Sequence, residues 1–246
     1  MKKHGWVLQV AAVLVGCSLA AYFVHYLLFR DAHHIFIYLV GDIAFVPLEV
    51  LLVAVVIERL LARRERQAML EKMNMPIGMF FSELGTELLG ALTRRVRNRG
   101  ELLPHLTVGA DWSPRDYARA RDVVRRFEFG VALERPDLRE LRELLGRHRD
   151  LLLMLLANPN LLEHESFTDL LWAIFHLMEE LTARVSLEEL PPSDLAHLAG
   201  DVQRVCSRLA LAWLRYCEHL QTAYPYIFSI LLRTHPLQER PDPIVR

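Results

Sequence analysis

The sequence predicts an all-α protein, a two-helix transmembrane hairpin followed by a cytoplasmic helical bundle. Three observations carry that class. Two apolar runs of 23 residues open the chain, Val7 to Phe29 and Ile35 to Ile57, and each can cross a hydrocarbon core of ~30 Å at about 1.5 Å per residue. The remaining sequence repeats its apolar residues at three and four positions, with no alternating strand pattern. The whole chain of 246 residues is 52% hydrophobic and 24% charged, with a mean hydropathy of +0.17. That is the balance of a chain with a minority of its length in lipid.

The first run reads VLQVAAVLVGCSLAAYFVHYLLF and carries no formal charge besides whatever His25 holds. Leu14-Val15-Gly16-Cys17 imitates a lipoprotein cleavage box. A cleaved lipoprotein continues into a polar tether, whereas this run stays apolar to Phe29, so an uncleaved span is expected. Lys2 and Lys3 precede it, Arg59, Arg63, Arg64 and Arg66 follow the second run, and the connection Arg30-Asp31-Ala32-His33-His34 holds one arginine. By the positive-inside rule both termini face the cytoplasm of a prokaryotic inner (cytoplasmic) membrane. Trp6, Tyr22, Tyr26 and Tyr38 stand near the span ends, where amphipathic rings prefer to sit.

The second run, IFIYLVGDIAFVPLEVLLVAVVI, is followed by Glu58 to Lys72 without Gly or Pro, so one long helix projects inward. Asn74-Met75-Pro76 should interrupt it, because proline disfavours helix in the residue before it. From Pro76 to about Arg97 an amphipathic segment places Ile77, Phe80, Phe81, Leu84, Leu88, Leu92 and Val96 on one face. It can lie on the membrane, pack between subunits or join a domain core. Residues 98–112 read as a linker with Gly100, Pro104 and Gly109. Ser113-Pro114-Arg115-Asp116 is a helix start, with Ser as N-cap and Pro at the first position. Helices are expected at about 114–132, 137–157, 165–185 and 193–233, with a kink at Pro225, most simply a four-helix bundle. The division is therefore hairpin 1–62, juxtamembrane helices and linker 63–112, bundle 113–235 and tail 236–246.

Asp42 and Glu49 are the sharpest chemical feature. Seven residues is almost two helical turns, so they share one stripe, only ~20° apart. A carboxylate facing lipid costs on the order of 2.5–3.5 kcal/mol. Two spans cannot shield two such groups, and the first span offers only Gln9, Ser18 and His25 as polar contacts. Homo-oligomerisation solves the problem by turning each acid into a ring about a shared axis. Asp42 would form an outer ring and Glu49 a deeper one, with Phe45, Val46, Leu52, Val53 and Val56 as apolar constrictions. Pro47 removes a backbone hydrogen bond between the acids, and Gly41 permits close helix approach. Such oxygen rings suit Ca²⁺, Mg²⁺ or monovalent cations. Alternatively the acids are protonated and only hold the oligomer together.

The bundle offers a second cluster. Glu165, Asp169, Trp172, His176 and Glu180 fall within about 80° of one helix face, with His164 and Glu179 nearby. Histidine and carboxylates at this spacing can bind metal, yet the same residues make an ordinary solvated acidic face, and no second Glu-x-x-His occurs on another helix. Arg142 and His148 match the loose arginine–histidine spacing of HEPN-type ribonucleases, with Glu143 at the position of their usual polar residue. Arg94-Arg95-Val96-Arg97-Asn98-Arg99 suits lipid headgroups or a solvated helix C-terminus equally. A formal net charge of −1 argues against general affinity for nucleic acid, and Cys17, Cys206 and Cys217 have no metal-ligand spacing. No nucleotide-binding or nucleophile motif proposes an enzyme.

GDIAFVPLEVLLVAVVIERLL (41–61), LANPNLLEHESFTDLLWAIFHLMEEL (156–181) and HLQTAYPYIFSILLRTHP (219–236) together resemble a family of uncharacterised prokaryotic two-span membrane proteins with a helical cytoplasmic domain. That resemblance implies the architecture and no activity. The sequence thus points first to a homo-oligomeric cation channel lined by the second span. Its competitor is a membrane-anchored interaction or signalling protein whose bundle binds a cytoplasmic partner.

Overall fold

A computed structural model describes the backbone of residues 3–162, 165–238 and 240–244, and side chains for 9–61, 75–161, 165–238 and 240–244. Lys2, Lys3, Trp6, Arg63, Arg64, Arg66, Lys72, Asn74 and His164 lie outside the described side chains. All regular structure among the described residues is helical, apart from one isolated antiparallel bridge between Val96 and Val131. The chain divides into two compact units, Met1–Gln67 and Ala68–Arg246.

The first unit holds α1 (Lys3–Phe29) and most of α2 (Ala32–Phe80). Over Gln9–Phe29 and Ala32–Leu61 both helices are long and apolar enough to cross a membrane, and no part of either stretch is buried within the chain. The reversal between them is shorter than the five-residue connection read from the sequence. Arg30 adopts the left-handed region, with φ 50°, its N–H donating to the Tyr26 carbonyl at 2.8 Å. Asp31 then caps α2 by accepting the His34 N–H at 3.2 Å.

α2 runs 49 residues without a break. Pro76 therefore does not interrupt it as expected. The lost hydrogen bond costs about 3 kcal/mol in an isolated helix, but Phe80 is fully buried and Ile77 packs on the core, and that burial holds the last turn in place. A single π turn, Phe81–Gly85, then inserts a residue before α3 (Thr86–Thr93). Crowding explains it. The Phe80 ring packs edge-on against Phe167 at 5.4 Å, while the Phe81 ring stacks on Tyr216 at 4.4 Å. Gly85 has no Cβ to strike them.

The second unit is built on an antiparallel pair, α9 (Glu165–Ala183) and α10 (Pro192–Ala223). α3, α4 (Arg99–Leu106), α5 (Pro114–Arg126) and α11 (Pro225–Thr234) pack on α10. On the other side α6 (Arg135–Arg147), α7 (Arg149–Leu156) and the short α8 (Pro159–Leu162) pack on α9. The amphipathic segment after Pro76 belongs to this core, with Phe81, Leu84, Leu88, Leu92 and Val96 all buried. The compact unit accordingly begins well before residue 113. The first half of the expected linker is helical, as α4, because Leu102 and Leu106 are both fully buried one turn apart, and only 107–112 remain irregular. Trp213 Nε1 donates to the Leu106 carbonyl at 3.0 Å, serving the end of α4 from the core.

Pro114 opens a helix as read, and Pro136, Pro159, Pro192 and Pro225 likewise stand in the first turn of a helix, whereas Pro104 lies inside α4. Asp116 accepts both the Ser113 N–H at 2.9 Å and its hydroxyl at 2.6 Å, which holds its carboxyl below the usual carboxylate range. The single helix expected over 137–157 is two, divided at His148, whose backbone leaves helical geometry and whose Nδ1 lies 2.9 Å from the Leu144 carbonyl. Pro225 separates α10 from α11 outright at Tyr224. Arg95 is not a solvated cation. Its side chain is 4% exposed, with Nε 3.0 Å from Asp137 Oδ1 and Nη2 2.5 Å from Glu140 Oε2.

Candidate functional site

Two places gather polar chemistry that the fold itself does not require. The first is the apolar part of α2. Asp42 and Glu49 both sit within the uninterrupted helix and are exposed, as are Phe45, Val46, Leu52, Val53 and Val56. Helical geometry puts Phe45, Val53 and Val56 within roughly 40° of Glu49, and Leu51 and Ala54 on the opposite side. Pro47 is inside the helix, so the Ile43 carbonyl, four residues earlier, has no N–H to receive. At the reversal the rings of His25 and His34 stack at 5.9 Å, and His34 meets Tyr38 edge-on at 4.7 Å.

The second place is one face of the α9–α10 pair. His176 faces Asp201, Glu180 faces His197, and Arg184 faces Asp194, so residue numbers rise on one helix as they fall on the other. His176 Nε2 lies 3.4 Å from Asp201 Oδ2 and 3.9 Å from Glu180 Oε1. His197 Nε2 lies 3.4 Å from the same Asp201 oxygen and 3.6 Å from Glu180 Oε2. Ligand atoms of His176, Glu180 and His197 all fall within 4.8 Å of one another.

The apolar side of each helix fixes this face. Leu177 and Leu181 are buried on α9, and Leu198 and Val202 on α10. Buried Leu187 anchors the connection between the helices. The side chains of His176 and His197 are about half exposed, at 47% and 52%, and Glu180 is at 28%, whereas Asp201 is buried at 2%. Arg204 Nη1 donates to Asp201 Oδ1 at 2.6 Å, while Oδ2 has no hydrogen-bond partner. Arg184 donates to Glu180 Oε2 at 2.8 Å and to both oxygens of Asp194 at 2.8 and 2.5 Å. Its hydrogen bond holds Glu180 below the usual carboxylate range, with the nearby histidines adding to the effect.

Of the four ligands named on α9 from sequence, only His176 and Glu180 meet here. Asp169 and Glu165 lie about 10.5 and 16.5 Å away from His176 along the axis, at about 1.5 Å per residue, too far to share one ion. Their places are taken by His197 and Asp201 of α10. The signal was present as two His-x-x-x-acid pairs flanking a Pro-Pro turn, but it is visible only once the two helices are paired antiparallel.

Residues 69–233 match the family described as "Uncharacterized protein MJ1433, C-terminal helical domain", and residues 2–61 match "MJ1433, N-terminal helical domain". The chain is 39% identical over 240 residues, 98% of its length and 96% of the relative's, to "Uncharacterized protein MJ1433" of Methanocaldococcus jannaschii. No solved structure matches it.

Proposed function

We propose that this chain, which belongs to the MJ1433 family and carries its N-terminal and C-terminal helical domains in that order, forms a homo-oligomeric cation channel in a prokaryotic cytoplasmic membrane. One observation carries this reading, namely two carboxylates exposed on one stripe of an unbroken apolar helix. Facing lipid, each would cost on the order of 2.5–3.5 kcal/mol. Facing a shared axis, each becomes a ring that attracts cations and strips part of their hydration. Asp42 supplies the outer ring and Glu49 the deeper one. Phe45, Val53 and Val56 set the apolar width between and below them. The carbonyl released by Pro47 adds an oxygen near the acids. Lysine and arginine at both flanks of the hairpin favour cytoplasmic termini, and α2 continues from the pore into the helical domain.

Thiol accessibility tests which side of α2 meets water. In a Cys17→Ser background the remaining Cys206 and Cys217 are fully buried and stay silent. Cysteines placed at Phe45, Glu49 and Val53 should react with a membrane-impermeant thiol reagent in sealed vesicles, and those at Leu51 and Ala54 should not. Protection at all five positions means that the acids only join helices, and the channel reading fails.

A further inference from the structure

We propose that His176 and Glu180 of α9 with His197 and Asp201 of α10 form a binding site for a first-row transition-metal dication, Zn²⁺ above all. The site is independent of the pore reading.

Distances are the first argument. Hydrogen bonds between these atom types fall at 2.7–3.2 Å. The four imidazole–carboxylate separations of 3.4, 3.4, 3.6 and 3.9 Å are all longer. A tetrahedral zinc ion with ligands at 2.0–2.1 Å holds neighbouring donor atoms ~3.4 Å apart, which is the separation of Asp201 Oδ2 from each Nε2, while each histidine lies slightly farther from a different oxygen of Glu180. The side chains are spaced to share a central cation rather than to bond one another.

Asp201 is the second argument. Its side chain is 2% exposed, yet Oδ2 has no hydrogen-bond partner and points between the two Nε2 atoms. A buried carboxylate oxygen left without a partner is costly, and native folds seldom tolerate it without a reason. A cation there supplies the partner. Arg204 on Oδ1 and Arg184 on Glu180 then orient the ligands from outside, as the outer shell of a metal site does.

Chemistry selects the ion class. Two neutral imidazoles and two carboxylates balance a dication. Imidazole suits zinc, copper, nickel or iron, whereas Ca²⁺ and Mg²⁺ prefer six or more oxygens. His176, Glu180 and His197 bring three donors within 4.8 Å of one another, and Asp201 Oδ2 stands 3.4 Å from both histidines as the fourth ligand of the proposed site. Two ligands come from each helix, so the ion pins α9 to α10 at the end of the pair bearing their connection.

The test uses the full chain without a histidine tag, stripped with chelator in mild detergent and titrated with Co²⁺ and then Zn²⁺. One equivalent of Co²⁺ should give the intense visible absorption of four-coordinate cobalt, and Zn²⁺ should erase it. Zn²⁺ should also raise the thermal midpoint by mass action. His176→Gln, at a half-exposed position, and Asp201→Asn should each weaken binding by roughly tenfold or more. Both should keep the wild-type helical circular dichroism. Exchanging His25, His33 and His34 on the hairpin for Gln should leave binding intact. Absence of four-coordinate absorption overturns the site. So does binding that survives the His176 and Asp201 changes but disappears with the hairpin histidines.

Discussion

His235 should make the helical domain fail in acid sooner than its carboxylates alone would. Its ring is 1% exposed, both nitrogens lack hydrogen-bond partners, and the Trp213 ring lies 5.5 Å away. Burial pushes the imidazole down to about 4, from an ordinary 6.5. The folded protein therefore keeps this ring neutral across a range in which the unfolded chain binds a proton. Stability is undiminished above pH 6.5, falls as pH drops towards 4, and levels off below that value. At 1.36 kcal/mol per pH unit the loss amounts to about 3 kcal/mol. For a domain of this size that equals roughly 6–12 °C in Tm. Thermal unfolding of the full chain in mild detergent, followed by the fluorescence of core Trp213 between pH 7.5 and 4, measures it. His235→Phe keeps the ring volume and removes the proton site. Every other titrating group acts equally in both proteins, so the difference between the two Tm curves isolates His235. Parallel curves would refute the reasoning.

Gly85→Ala should destabilise the domain by about 1–2 kcal/mol although alanine is the better helix former, because its Cβ would fall 2.5 Å from Phe80 Cε1 and 2.9 Å from Phe81 Cδ1. A raised Tm would mean that the two rings can yield. Asp137→Asn with Glu140→Gln strips the buried Arg95 of both carboxylates and should cost about 3–5 kcal/mol, whereas adding Arg95→Met should recover much of that loss. Equal stability of the double and triple variants would contradict this. Asp116→Asn weakens the capping box at the start of α5 and should lower the Tm at neutral pH. That difference should vanish in acid, where the carboxylate it removes is protonated.

Much of this fold is legible locally. The helix start at Ser113 follows from a cap and a proline that act within one turn. Both apolar helices follow from length and composition. What escaped depends on distant partners. Pro76 and Pro104 read as breakers, yet both sit inside helices because Phe80, Leu102 and Leu106 are buried against elements far along the chain. Arg95 reads as one more surface cation, until Asp137 and Glu140 come to it from α6. His176 and Glu180 could be picked from the face of α9, but His197 and Asp201 required the antiparallel register of α9 on α10, which no short-range spacing encodes. Asp42 and Glu49 needed no partner to be noticed. A charge in an apolar stretch is conspicuous in sequence alone.

The central claim is that these two acids line a path for cations. Flux into proteoliposomes carrying the full chain tests it most directly, with monovalent and divalent cations driven by gradient or voltage. The wild type should conduct, and Glu49→Gln should reduce flux at least about tenfold. Asp42→Asn should reduce it most at low ionic strength, where an outer charge is least screened. No flux under any gradient or voltage, or equal flux when both acids are neutralised, would contradict the account.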